Sequence, residues 1–134
     1  MKLLVDNNLP PRLAKALNII VEVDGHSVTA LRELFPENTK DIEWIEELGN
    51  DGGWTVVSLD MRITKRPAEK LAWRRSKLKG FFLAPGWASL GVEEKTARLL
   101  LWWPKLVQQE GLVGPGAIFE VPVKSGSKLK QLTI

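Results

Sequence analysis

Short apolar runs alternate along the chain with longer stretches whose apolar residues recur every three or four positions. This pattern predicts strands alternating with helices. Lys2 to Val5 is a first strand that stops at Asp6. Pro10-Pro11 suits the first turn of a helix, where a missing N–H is harmless, and Leu13, Ala16, Leu17 and Ile20 give that helix an apolar stripe. His26 to Leu31 predicts a second short strand, and Phe35-Pro36-Glu37-Asn38 breaks the pattern. Thr39 or Asp41 can cap the next helix, whose stripe is Ile42, Ile45 and Leu48, and Gly49-Asn50-Asp51-Gly52-Gly53 ends it. Trp54 to Leu59 is a third strand, closed by Asp60.

Pro67 opens a further helix with Leu71, Ala72 and Trp73 as its inward candidates, and Gly80 to Ala84 is a fourth strand. Glu93 to Gln109 is the longest helix, with Ala97, Leu100, Leu101 and Trp103 as its apolar positions. Pro104 is expected to bend or interrupt it. A Gly114-Pro115-Gly116 turn leads into a last strand, Ala117 to Val123. This order predicts an α/β sandwich with a mainly parallel sheet. Residues 1–123 are expected to form one domain. Residues 124–134 are expected to form a basic tail, mobile over Lys124 to Lys130.

Two of the three candidate catalytic residues, Asp6 and Asp60, lie at strand ends, and the third is Asp41. In an open parallel sheet the C-terminal strand tips line up along the edge where ligands bind. Neighbouring strands are about 4.8 Å apart, so Asp6 and Asp60 at adjacent tips would repel unless a cation or a shared proton intervened. A hard divalent cation, Mg²⁺ or Mn²⁺, takes oxygen ligands and keeps several waters. Asp41, in the first turn of an acidic helix, can point at the same edge and complete the set. Each of these residues also has a structural explanation: Asp6 and Asp60 as turn or helix caps, Asp41 and Glu43 as anions at a helix N-terminus. Asn7 and Asn8 are neutral oxygen donors, either able to hold water or orient a carboxylate, with turn chemistry the favoured reading of Asn8. Arg62, Lys65 and Arg66 follow Asp60 directly and can grip phosphates. Trp87, on the loop after the fourth strand, is either a platform for a base or a core residue. The Trp102-Trp103 pair suits the core or an oligomer contact.

Composition narrows the chemistry. The 134 residues contain no cysteine and one histidine, His26. Thiolate metal sites, disulfides, cysteine nucleophiles and histidine-rich zinc sites are excluded. The absence of cysteine fits a reducing compartment and a cytoplasmic protein. Lys2 is followed by only three apolar residues before Asp6, which is not the pattern of a signal peptide, and no apolar run reaches the roughly 20 residues of a membrane span. The net charge is +3 but unevenly spread. Residues 33–51 carry seven acidic side chains against Lys40, and residues 62–79 carry eight basic ones against Glu69. A basic block beside an acidic edge suits a polyanionic substrate, although such runs also occur as plain solvated helix faces.

Three segments carry a resemblance. The opening Lys-Leu-Leu-Val-Asp-Asn-Asn-Leu-Pro-Pro-Arg-Leu-Ala, the Lys40-Asp41-Ile42-Glu43-Trp44-Ile45 segment and Val57-Ser58-Leu59-Asp60 resemble the small PIN-like proteins of the DUF5615 and VapC45-like type, over about residues 1–90. The resemblance implies a three-layer α/β/α PIN-like sandwich. It implies Mg²⁺- or Mn²⁺-dependent cleavage of RNA, by the toxin of a type II toxin–antitoxin pair restrained by an antitoxin protein. It also carries Asp6, Asp41 and Asp60 over as the metal-site residues. Many relatives have a glutamate directly after the first aspartate, and Asn7 stands there here. A fourth late acidic residue of the family has no clear counterpart, and Glu69 is the available substitute. The sequence thus leads to a metal-dependent ribonuclease. A catalytically silent nucleic-acid-binding module and a protein-interaction subunit docking through its Trp-rich half are the rivals, and a homodimer is left open.

Overall fold

In a computed structural model, which describes residues 1–134, six strands form one sheet. The elements run β1 (Lys2–Val5), α1 (Pro11–Val21), β2 (Ser27–Ala30), α2 (Leu31–Leu34), α3 (Asp41–Asp51), β3 (Trp54–Ser58), α4 (Pro67–Ser76), β4 (Lys79–Leu83), α5 (Val92–Leu112), β5 (Ile118–Val121) and β6 (Lys130–Leu132). Strand order is β2-β1-β3-β4-β5-β6. The first five strands pair in parallel and β6 is antiparallel to β5. The chain leaves β1 for β2 on one side and later returns to β3 on the other, so the order reverses at β1. The crevice between the C-terminal ends of β1 and β3 is therefore a topological switch point, where doubly wound sheets bind ligands.

Strand side chains alternate between two cores, as the pleat requires. Leu3, Val5, Val57, Phe81, Leu83, Phe119 and Val121 face the layer that contains α1 and α5. Leu4, Val56, Phe82 and Ile118 face the layer that contains α3 and α4. This is the expected three-layer α/β/α architecture.

The helices bury faces that differ from the predicted stripes. α1 buries Leu13, Ala14, Leu17 and Val21 and leaves Ile20 exposed. α4 buries Ala72, Trp73 and Ser76, with Leu71 outward, and α3 adds Trp44 to Ile45 and Leu48. α5 buries Leu99, Trp102, Trp103 and Leu106, with Leu101 outward. The cause is degeneracy: Ile19-Ile20-Val21 and Leu99-Leu100-Leu101-Trp102-Trp103 are unbroken apolar runs, and several helical stripes pass through such a run. Pro104 does not end α5, which continues through it. The residue is exposed, so the Leu100 carbonyl that loses its N–H donor lies on the solvent side of the helix.

The segment read as a mobile tail is structured. β6 pairs Ile118 with Leu132 and Glu120 with Lys130. Leu129, Leu132 and Ile134 pack partly against the two cores, and the Arg74 Nε–H donates to the Ile134 carbonyl at 2.8 Å. The alternation of Leu132 with Ile134 is a strand signal, too short to stand out among the lysines around it.

Candidate active site

Parallel pairing of β1 with β3 sets Val5 beside Val57, so the next residues, Asp6 and Ser58, meet at the crevice. The Asp6 N–H continues the ladder by donating to the Val57 carbonyl at 3.1 Å. Asp6 is only 5% exposed. The Ser58 hydroxyl donates to its Oδ2 at 2.8 Å, and the Asn7 backbone N–H donates to its Oδ1 at 2.7 Å. Burial holds the Asp6 pKa above the usual carboxylate range, against the lowering effect of these two donors. The negative charges of Asp41 and Asp60 push it further in the same direction. Three carboxylates from distant parts of the chain therefore act on one region of space.

Ser58 and Asn8 wire this region together. Besides its bond to Asp6, the Ser58 oxygen accepts from the Asp60 N–H at 2.9 Å and from Asn8 Nδ2 at 3.1 Å. Asn8 Nδ2 also reaches Asp6 Oδ2 at 3.4 Å, and Asn8 Oδ1 accepts from the Leu59 N–H at 3.0 Å. The loop after β1 is thus tied to the loop after β3 through two short polar side chains. Sequence reasoning passed over Ser58 and assigned Asn8 to turn chemistry. The available signal for Ser58 was a hydroxyl interrupting Val56-Val57 and Leu59 two residues before a carboxylate.

Asp60 caps the turn that follows it, as one of its structural readings anticipated, accepting at Oδ1 from the Arg62 backbone N–H at 2.9 Å. The Arg62 side chain adds a fork, Nε–H to Oδ1 at 2.8 Å and Nη2–H to Oδ2 at 2.9 Å. That fork holds the Asp60 carboxyl below its usual range. Asp41 opens α3, and its Oδ1 accepts from Trp44 Nε1 at 3.0 Å, which fixes the carboxylate at the helix start. Glu69 lies near the same group: its charge, like that of Asp41, helps to hold Arg62 protonated. The side chain of Glu69 is 16% exposed and stands 3.9 Å from Arg66. Asp41, Glu69, Arg66 and Lys40 line an open cleft of about 390 Å³. A cleft of about 260 Å³ at the N-terminal strand ends, around Trp54 and Lys79, holds none of the predicted site residues.

Other predicted residues fall outside this group. Glu43 is exposed on α3 and contacts no member of it, and Lys65 is exposed without an ionic partner. Trp87 is fully buried, with Nε1 donating to the Val121 carbonyl at 3.0 Å, so it cannot stack on a base. Trp102 and Trp103 are likewise in the core.

The carboxylates of Asp6, Asp41 and Asp60 and the buried Asn7 Oδ1, which has no hydrogen-bond partner, are oxygen donors of the kind a hard divalent cation takes. The arrangement is not a closed cage. No three acidic, histidine or cysteine side chains stand close enough to hold one ion between them, and both Asp60 oxygens face Arg62. No helix is long and apolar enough to cross a membrane.

No characterised protein and no solved structure matches the chain. The family model described as a PIN like domain matches residues 1–85, which span β1 to β4 and include Asp6, Asp41, Asp60 and Glu69. The chain belongs to the PIN-like domain family.

Proposed function

We propose that this protein is a Mg²⁺- or Mn²⁺-dependent endoribonuclease that serves as the toxin of a toxin–antitoxin pair. The observation that supports the nuclease reading is the buried Asp6 at the switch point, which Ser58 links to the Asp60 backbone, with the two loops tied together by Ser58 and Asn8. Asp6 and Asp60 would hold the ion, and Asp41 would hold it or orient the attacking water. When bound, such an ion acidifies water and offsets charge on a scissile phosphate. The chain's own residues supply the rest. Ser58 and the Asn7 N–H fix the rotamer of Asp6, burial keeps bulk water from its carboxylate, and the exposed Arg62, Lys65 and Arg66 present cations to phosphates flanking the cut. The restraining antitoxin follows from the likeness to toxin proteins in the opening segment.

The test is RNA cleavage with Mn²⁺ by the wild-type chain and by Asp6→Asn and Asp60→Asn, purified in parallel. Loss of cleavage in both variants is expected, and equal cleavage by all three proteins overturns the assignment. One observation favours a second reading: a neutral residue at Asn7 and an Asp60 already satisfied by Arg62 suit a catalytically silent RNA-binding module. That reading predicts salt-sensitive RNA binding that Mn²⁺ does not change.

A further inference from the structure

We infer that the outer face of α3 and α4 docks a second copy of this chain, about a two-fold axis that runs between the two helices and parallel to them. The inference does not depend on the chemistry of the strand edge. α3 and α4 lead into the parallel strands β3 and β4, so they run in the same direction. Their outward charges are opposite. α3 exposes Glu43, Glu46 and Glu47, and α4 exposes Arg74 and Arg75, with Lys70 half-exposed beside them. Like charges stand four residues apart on each helix, Glu43 with Glu47 and Lys70 with Arg74, a spacing that weakens a helix slightly. The neighbouring helix does not relieve this. No ion pair joins α3 to α4, although Glu46 and Arg75 line one groove of about 200 Å³ between them.

Packing fixes how the second copy fits. Gly49 and Ser76 touch, since a Cβ on Gly49 would lie 2.7 Å from the Ser76 Cα, so these two residues stand level on the parallel helices. The same levels place Glu47 beside Arg74 and Glu43 beside Lys70. Asp41 and Ile42 share a cleft with Glu69, as those levels require. A two-fold axis parallel to the helices preserves every level and exchanges the helices, so α3 of each copy lies on α4 of the other. Glu43 then faces the second copy's Lys70, and Glu47 faces its Arg74. Glu46 and Arg75, which line the groove at the axis, meet within one turn. Each pair occurs twice, because such an interface is isologous. The exposed Leu71, between Lys70 and Arg74, is covered in the same contact. A two-fold axis across the helices would instead set α3 on α3, acid against acid. A polyanion is the other occupant that a basic helix suggests. It would lie alongside the acidic row of α3, at the roughly 8–10 Å spacing of packed helices and within a screening length of it.

Sedimentation velocity of the full chain over a concentration series, at about 0.1 M and about 1 M NaCl, tests the inference. Between these salts the screening length falls from about 10 Å to about 3 Å, and the dimer dissociation constant should rise roughly tenfold. Two charge-reversed variants, Glu43→Lys/Glu46→Lys and Lys70→Glu/Arg75→Glu, should each be monomeric at the lower salt. Their equimolar mixture should associate, because each copy then offers the charge that the other has lost. Recovery on mixing requires folded chains, and thermal unfolding of each variant checks folding independently. A wild-type chain that is monomeric throughout, association indifferent to salt, or a mixture that stays monomeric overturns the inference. Wild-type monomers that bind a single-stranded oligonucleotide, with binding lost only in Lys70→Glu/Arg75→Glu, overturn it in favour of RNA as the occupant.

Discussion

At the scale of single residues, Asp6 carries a cost set by its burial. Its ionised form is disfavoured by burial, so its folded pKa lies above 3.8, the ordinary value of an aspartate. The sign follows from linkage. The penalty is absent at pH values where the carboxyl is protonated folded and unfolded alike. It grows as pH rises from 3.8 through the folded value, and it is complete above that. Asp6→Asn should therefore have a melting temperature at pH 7 at least equal to that of wild type, and the advantage should shrink on acidification toward pH 4. Thermal scans at the two pH values check this, and a deficit larger at pH 7 than at pH 4 contradicts it. Asp60 behaves oppositely. Its lowered pKa contributes stability above 3.8 that is lost as pH falls through the folded value. Ser58 is the second residue with a clear expectation. Ser58→Ala strands the Asp60 N–H and an Asn8 amide proton, and should cost about 1–3 kcal/mol in urea unfolding. It should also weaken Mn²⁺ binding. Asp6 and Asp60 were legible in the sequence because a buried apolar run that stops at a carboxylate asks for a reason. Ser58 and Asn8 were not, because a short polar side chain looks the same in sequence whether it closes a turn or ties two loops together. Trp87 shows the converse problem: an aromatic residue on a ligand-edge loop was hidden by a core that only three-dimensional packing defines.

At the scale of elements, the existence and order of the five parallel strands and the long helices were legible, whereas the orientation of the helices about their axes was not. Periodicity selects a stripe only where polar residues interrupt the apolar ones, and α1 and α5 lack that interruption at the decisive turns. The packing of α3 on α4 supplies a sharper prediction. A Cβ at Gly49 would sit 2.7 Å from the Ser76 Cα and carbonyl oxygen, and backbone atoms cannot step aside as a flexible side chain can. Gly49→Ala should destabilise the fold by about 1–3 kcal/mol through overpacking, read as a lower urea midpoint with an unchanged slope. A midpoint equal to that of wild type would show that the two helices separate more easily than their contact suggests. Because α3 also presents Asp41, the proposed metal site predicts that the same variant weakens Mn²⁺ binding as well.

At the scale of the whole molecule, β6 covers what would otherwise be the bare edge of β5. Exposed edges recruit other chains. Removing residues 124–134 should lower the melting temperature and promote self-association, visible as a concentration-dependent shift in size-exclusion elution. A truncated protein that associates no more than the full chain and is equally stable would show that the last strand is dispensable. The sequence hid this strand because three residues flanked by lysines look like a solvated terminus until a partner edge is in view. A different whole-molecule consequence follows from the bond between Asp6 and Ser58. Those two residues are 52 positions apart, and parallel strands cannot pair until the intervening crossover has been made. A chain still emerging from the ribosome therefore carries its first acidic side chain with no counterpart to orient it. Under the proposed nuclease reading, hydrolytic competence would therefore arise late in synthesis, only after the third strand has cleared the exit tunnel and docked.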